Sequence, residues 1–112
     1  MNAADFIGRR VSVEIDRPLG SRHPEHGFRY DTNYGYVPGA VAPDGEALDA
    51  YVLGVNEPRE RFEGDCIAVI HRLDDVEDKL VIVPPGENVD DGRIRRETDF
   101  QEWFFQSVIL RG

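Results

Sequence analysis

The stretch from Asn33 to Leu53, NYGYVPGAVAPDGEALDAYVL, does most to limit what this chain can fold into. Phe28 to Val37 reads as an aromatic strand that Pro38-Gly39 then turns. A second turn, Pro43-Asp44-Gly45, opens into three carboxylates at Asp44, Glu46 and Asp49. Leu48 to Val55 forms the next strand, with Leu48, Ala50 and Val52 on one face and Asp49, Tyr51 and Leu53 on the other. Carboxylates this close repel one another unless they are solvated, protonated or holding a cation. Hard divalent cations such as Mg²⁺ and Ca²⁺ take oxygen ligands of this kind. The bland alternatives are an ordinary Asp-Gly turn at Asp44 and a surface-facing strand carboxylate at Asp49. A carboxylate inside an apolar strand nevertheless needs a partner or a metal. Metal-assisted phosphoryl hydrolysis is the leading reading of this stretch.

The rest of the chain supplies short strands around that segment. Val11, Val13 and Ile15 alternate with Ser12 and Glu14, the period of a half-buried strand. Asp16 to Arg29 is rich in Pro, Gly, His and Arg and reads as a loop of functional size. Within it, GSRHPEH gathers Arg22, His23, Glu25 and His26, either as a solvated loop or as a source of cations for an anion. Pro24 forbids a regular helix that would align the two histidines for a metal. Tyr30, Tyr34 and Tyr36 share a parity, so a regular strand lines one face with three tyrosines whose hydroxyls can reach a cleft. Asn56 to Gly64 reads as a polar turn region. The runs CIAVIH, from Cys66 to His71, and KLVIV, from Lys79 to Val83, are strands joined by the acidic loop Asp74, Asp75, Val76, Glu77 and Asp78. Four acids in one short loop usually make a solvated turn. The hairpin can also bring them to the same end of the sheet as Asp44 and Asp49.

After Pro84-Pro85-Gly86, the segment from Asn88 to Arg96 shows only weak helical spacing. A better helix is expected from Thr98, with Phe100, Trp103 and Phe104 as its apolar face. Ser107 to Leu110 closes as a short strand or as an extended tail. Five or six short strands and one late helix predict a mainly β (α+β) fold. The expected architecture is a small OB-like β-barrel, closed or partly open, with the C-terminal helix packed on it. At 112 residues the chain is read as a single domain spanning 1–112.

Charge and composition narrow the function classes. Twenty-two acids against thirteen bases give a net charge of −9, which disfavours nucleic acid as a partner. A small polyanion remains compatible, because bound metal reverses the local sign. No apolar run is long enough for a membrane span. No signal-like stretch precedes Asp5, Arg9 and Arg10, so the expected location is the cytoplasm. The lone Cys66, set in an apolar run, reads as a small buried hydrophobe and not a nucleophile.

Four segments in order resemble the soluble, Mg²⁺-dependent family I inorganic pyrophosphatases, best from Tyr30 to Pro84. The family's tyrosine followed by asparagine-tyrosine-glycine appears as Tyr30 and Asn33-Tyr34-Gly35. Its signature Asp-x-Asp-Pro-x-Asp appears as Asp44 to Asp49, with Glu46 for the middle aspartate and Ala47 for the proline. Its acidic loop, ending in a lysine before an apolar strand and a proline, appears as Asp74 to Lys79 and then LVIVP. VEI, from Val13 to Ile15, and GSR, from Gly20 to Arg22, look like its opening strand and loop. The family's Lys-x-Glu is replaced by His23-Pro24-Glu25-His26, the hairpin that usually follows is absent, and Gln106-Ser107-Val108 stands where its tyrosine-lysine pair would follow the helix.

The resemblance implies hydrolysis of pyrophosphate to phosphate with two or more Mg²⁺ ions. It makes Asp44 and Asp49 the primary metal ligands, completed by acids among Asp74, Asp75, Glu77 and Asp78. Which of Asp74 or Asp75, and which of Glu77 or Asp78, stays open. Glu14 serves a peripheral metal or only decorates its strand. Glu46 would orient or deprotonate the attacking water, while Lys79, Arg22, Arg29 and Tyr34, and more weakly Tyr30, would hold phosphate oxygens. Two further readings stand beside it: a hydrolase of another phosphoanhydride or phosphoester, and an inactive metal- or partner-binding barrel. The family commonly assembles, and Trp103 beside the paired phenylalanines offers apolar surface for a homo-oligomer.

Overall fold

Period-two alternation carries directly into a sheet. The computed structural model describes residues 2–42, 45–75 and 77–112. A short 3-10 helix, Ala3–Phe6, leads into β1 (Arg10–Arg17), β2 (Asn33–Val41), β3 (Ala47–Val52), β4 (Arg61–Arg72) and β5 (Asp78–Val83). Helix α1 (Asp91–Glu102) and β6 (Ser107–Leu110) follow. The strands pair in the order β1-β2-β3-β5-β4, and β4 returns to β1 to close a five-stranded barrel; β6 pairs with β4 beyond the closure. Every pairing is antiparallel except β3 with β5.

Strand parity separates two cores. Val11, Val13 and Ile15 of β1, Val37 of β2, Leu48, Ala50 and Val52 of β3, Cys66 and Val69 of β4, and Leu80 and Ile82 of β5 fill the barrel. Tyr34, Tyr51, Leu53, Ala68, Ile70, Val81 and Val83 face outward and are covered by Ile94 of α1 together with Tyr30 and Val89. With both faces covered, β5 reads as the continuous apolar run LVIV instead of an alternating one. A register shift between Cys66 and Ala68 lets β4 serve both cores. Gly35 is required where β1 meets β2: a Cβ there would lie 1.9 Å from the Glu14 carbonyl oxygen.

Several boundaries differ from the sequence reading. The strand expected from Phe28 begins only at Asn33, and the polar region read through Gly64 already contains the start of β4 at Arg61. The helix expected from Thr98 starts at Asp91, because Asp90 caps it by accepting the Arg93 amide at 2.8 Å. Its buried face is Ile94, Thr98, Gln101 and Glu102. That face has helical spacing but is mostly polar, so apolar periodicity could not find it. Trp103 and Phe104 fall beyond the helix and are 69% and 58% exposed. Phe100 alone of the expected apolar face packs inward, edge-on to Tyr30 and Tyr51.

Candidate active site

The parallel pairing of β3 with β5 decides which charged groups meet. It sets Asp49 beside Lys79, while the antiparallel pairing with β2 sets Tyr36 beside Asp49. Both Asp49 and Lys79 point away from the barrel interior. Lys79, 3% exposed, places Nζ 2.7 Å from Asp49 Oδ2 and 2.8 Å from Glu77 Oε2. The Tyr34 hydroxyl donates to the same Asp49 oxygen at 2.7 Å. Burial, and then the Asp49 charge, push the Tyr34 hydroxyl well above the usual tyrosine range, so it stays a neutral donor.

A second charged group lies deeper, under α1. Arg72 is 4% exposed and binds Glu102 through Nε at 3.0 Å and Nη2 at 2.7 Å, and Glu77 through Nη1 at 2.9 Å. Its guanidinium lies over the Phe105 ring, 3.6 Å from the centroid. Burial pulls the Arg72 pKa down, but the Glu102 hydrogen bonds and charge outweigh it and hold it above its usual value. Glu102 also accepts from the Tyr51 hydroxyl at 2.5 Å, Gln101 donates to Tyr51 at 2.7 Å, and Tyr30 donates to Gln101 at 3.1 Å. This polar chain ties the end of α1 to the outer face of β3 and β4. Glu77, bound by both Arg72 and Lys79, links the two groups.

Two hollows share Asp49, Glu77 and Lys79. A cleft of about 520 Å³ adds Asp16, Arg17, His23, His26, Phe28, Tyr30, Tyr34, Arg72, Gln101, Phe104 and Phe105. A hollow of about 250 Å³ adds Glu46, Asp78, Ala42 and Ala47. The sequence candidates therefore divide. Tyr30, Tyr34, Asp49, Glu77 and Lys79 line the cleft, and Glu46 and Asp78 line the smaller hollow. Asp78 also sits 2.6 Å from His71 Nδ1. Asp44 lies outside the described residues. Asp75 pairs with Arg72 at 3.8 Å.

Arg22, Arg29, Asp74 and Glu14 line neither hollow. Arg22 and Arg29 face each other across an isolated bridge in the loop after β1; both are exposed, and Arg22 donates to its own loop at the Gly27 carbonyl. Asp74 accepts the Gln106 amide and so fastens the acidic loop to the start of β6. Glu14 stands in β1 between Tyr36 and Arg61.

Sequence reasoning missed Asp16, Arg17, Arg72 and Gln101. Arg72 had a signal: alternation carried past His71 puts it on the outward face with Ile70. Arg17 ends β1 and approaches the Tyr30 hydroxyl, whose pKa is raised by burial and drawn back by that arginine. Burial raises the Asp16 carboxyl beside it. His23 is held below the usual histidine value by burial and then by the neighbouring His26.

The oxygen donors Glu46, Asp49, Glu77 and Asp78 around one hollow match the chemistry of a hard divalent cation. Asp49, Asp75, Glu77 and Glu102 carry four formal negative charges against two on Lys79 and Arg72 in this ion-pair network, an excess that suits a cation. Among the described residues no three acids, histidines or cysteines converge on a single point. Tyr34 and Lys79 both bind Asp49 through Oδ2.

Comparison with known proteins gives the family and the fold. The family model described as inorganic pyrophosphatase matches residues 9–109. The fold is shared with the inorganic pyrophosphatase of Ehrlichia chaffeensis at 16% identity, covering 96% of this chain and 88% of that one, with a TM-score of 0.70. It is shared with that of Thermus thermophilus at 18% identity, covering 91% and 82%, with a TM-score of 0.67. The inorganic pyrophosphatase of Neisseria gonorrhoeae matches at 22% identity, covering 87% and 73%, with a TM-score of 0.60. None of the curated proteins is significantly similar in sequence.

Proposed function

The chain belongs to the inorganic pyrophosphatase family, and from that premise we propose that it hydrolyses inorganic pyrophosphate with Mg²⁺ at the hollow shared by Asp49 and the acids ahead of Lys79. The observation that carries this reading is the meeting of Tyr34, Asp49, Glu77 and Lys79 within 2.8 Å contacts at one end of β3 and β5.

Asp44 and Asp49 would hold the metal, two or more ions in all, with Glu77 or Asp78 completing the set. Asp74 and Asp75 line neither hollow, so they are the weaker choices in the acidic loop. Bound Mg²⁺ supplies charge neutralisation and makes a water acidic enough to attack at neutral pH. The chain's residues do the positioning. Tyr34, kept neutral by burial, fixes the Asp49 carboxylate by donating to Oδ2. Lys79 lies between two carboxylates, where it balances their charge before substrate arrives and faces phosphate oxygens afterwards. Glu46 would orient or deprotonate the water from the smaller hollow. Arg17 replaces Arg22 and Arg29 as the arginine aimed at substrate, because it alone of the three lines the cleft. Tyr30 acts through Gln101 as a packing residue.

No helix among the described residues is long and apolar enough to cross a membrane, which fits the proposed cytoplasmic location. Trp103, 69% exposed, supports self-association in the same reading.

The test compares steady-state phosphate release by the wild type with Asp49→Asn, Arg17→Ala and Arg22→Ala. Asp49→Asn should lose at least about a hundredfold and Arg17→Ala about tenfold, the scale of one charge-assisted contact. Arg22→Ala should stay within about twofold. Turnover untouched by Asp49→Asn would sink the site as drawn.

A further inference from the structure

The 520 Å³ cleft exceeds what two phosphates fill. Hollows of roughly 300–1,000 Å³ are those that hold organic ligands. Its lining is of two kinds, from different segments. Asp49, Lys79, Glu77 and Arg72 come from the strand ends and the acidic loop, and Arg17 stands at the end of β1. The remaining lining is mostly rings, contributed by the loop after β1, by Tyr34 of β2 and by the turn after α1.

Phe28 is the hub of those rings. Its centroid lies 4.9 Å from His23, 5.5 Å from Tyr30, 6.0 Å from Phe104 and 6.3 Å from His26, the last nearly parallel at 8°. Phe28 and Tyr30 also meet Phe100, so part of the cluster fastens the loop to the helix. Packing does not account for the outer members. Phe104 is 58% exposed and His26 is exposed, yet both line the cleft. Exposed aromatic faces rimming a hollow that also holds cations suit a ligand with a flat ring at one end and an anion at the other.

We propose that this cleft takes phosphoanhydrides bearing an aromatic ring, nucleoside diphosphates as a class, with the base against Phe104, Phe28 and His26 and the diphosphate at Lys79 and Arg17. The inference rests on the pyrophosphatase reading for the position of the diphosphate. In the reaction, water oxygen bonds to the terminal phosphorus and the bond from that phosphorus to the bridging oxygen breaks. The electron pair stays on the nucleoside monophosphate, and one proton passes to solvent. The products are a nucleoside monophosphate and phosphate.

The test measures calorimetric binding of two non-hydrolysable ligands to the full chain with Mg²⁺. Adenosine 5′-(α,β-methylene)diphosphate and methylenediphosphonate share a P–C–P head and differ in the nucleoside. The nucleotide analogue should bind about tenfold tighter, the scale of one stacked ring. Phe104→Ala should remove most of that ratio, and Phe104→Tyr, which keeps the ring, should retain it. Equal or tighter binding of methylenediphosphonate, or a ratio unmoved by Phe104→Ala, overturns the inference. Pyrophosphate turnover separates the two claims. Turnover without the affinity ratio sinks this inference alone. The ratio without turnover sinks the pyrophosphatase reading and the hydrolysis step with it, and leaves the ring site as a binding site alone.

Discussion

Replacing Arg72 with methionine removes the guanidinium that joins the helix to the site. In the native fold Arg72 is 4% exposed and holds Glu102 at 3.0 and 2.7 Å, Glu77 at 2.9 Å and the Phe105 ring at 3.6 Å. Methionine has similar length and fills the space, so cavity formation is a small part of the cost. What remains is Glu102, 6% exposed, with Tyr51 at 2.5 Å as a neutral donor and its cationic partner gone. Breaking a buried pair from one side costs about 3–5 kcal/mol. That is a large share of the roughly 5–15 kcal/mol that keeps a domain folded. With a urea slope of about 1–3 kcal/mol per M, the unfolding midpoint should fall by roughly 1–5 M. The double variant Arg72→Met/Glu102→Gln keeps an acceptor for Tyr51 and buries no lone charge. It should regain on the order of 2 kcal/mol over Arg72→Met alone. Urea unfolding of the four proteins of this cycle, followed by far-UV circular dichroism, gives the coupling. A single variant within about 1 kcal/mol of wild type, or a double variant no more stable than Arg72→Met, would refute the buried-pair argument.

Two further predictions concern the barrel and its tyrosines. Gly35→Ala forces a Cβ to within 1.9 Å of the Glu14 carbonyl, so β1 and β2 must separate; thermal denaturation should show a loss of about 3 kcal/mol or more, and wild-type stability would contradict the register given for these strands. Tyr34 and Tyr51 are both pushed well above the ordinary value of 10.0, chiefly by burial. In the unfolded chain they ionise near that value while the folded chain keeps them protonated, so their contribution is whole below pH 10 and is lost as pH rises above it. The slope is about 1.4 kcal/mol per pH unit for each. Urea midpoints taken from pH 8 to 11.5 should stay level and then fall, and Tyr34→Phe should fall less steeply.

How much of this was legible in the sequence follows from what each residue's neighbours are. Alternation at Val11, Val13 and Ile15, and at Leu48 to Leu53, reports burial on one face, and those strands appear with the expected parity. The Tyr30 to Lys79 pattern placed Tyr34, Asp49 and Lys79 among the candidates, and the β3–β5 pairing brings them together. The helix was misplaced because its buried side pairs Thr98, Gln101 and Glu102 with polar partners across the structure, which apolar spacing does not register. Arginines in a loop carry no sign of direction in the sequence, and Arg22 and Arg29 are both exposed and line neither hollow. Arg17 was overlooked for the opposite reason. It ends a strand of ordinary appearance, and only the loop folding back over Tyr30 brings it to the cleft.

The measurement that tests the central claim most directly is phosphate release from pyrophosphate by the full chain over a range of Mg²⁺ concentrations, with an excess of chelator as the reference. The account predicts turnover that rises and saturates with Mg²⁺, stops with chelator and returns when the metal is restored. Absence of phosphate release at every Mg²⁺ concentration, from a chain shown to be folded by its urea transition, would contradict it and leave a barrel that kept the family's fold without its reaction.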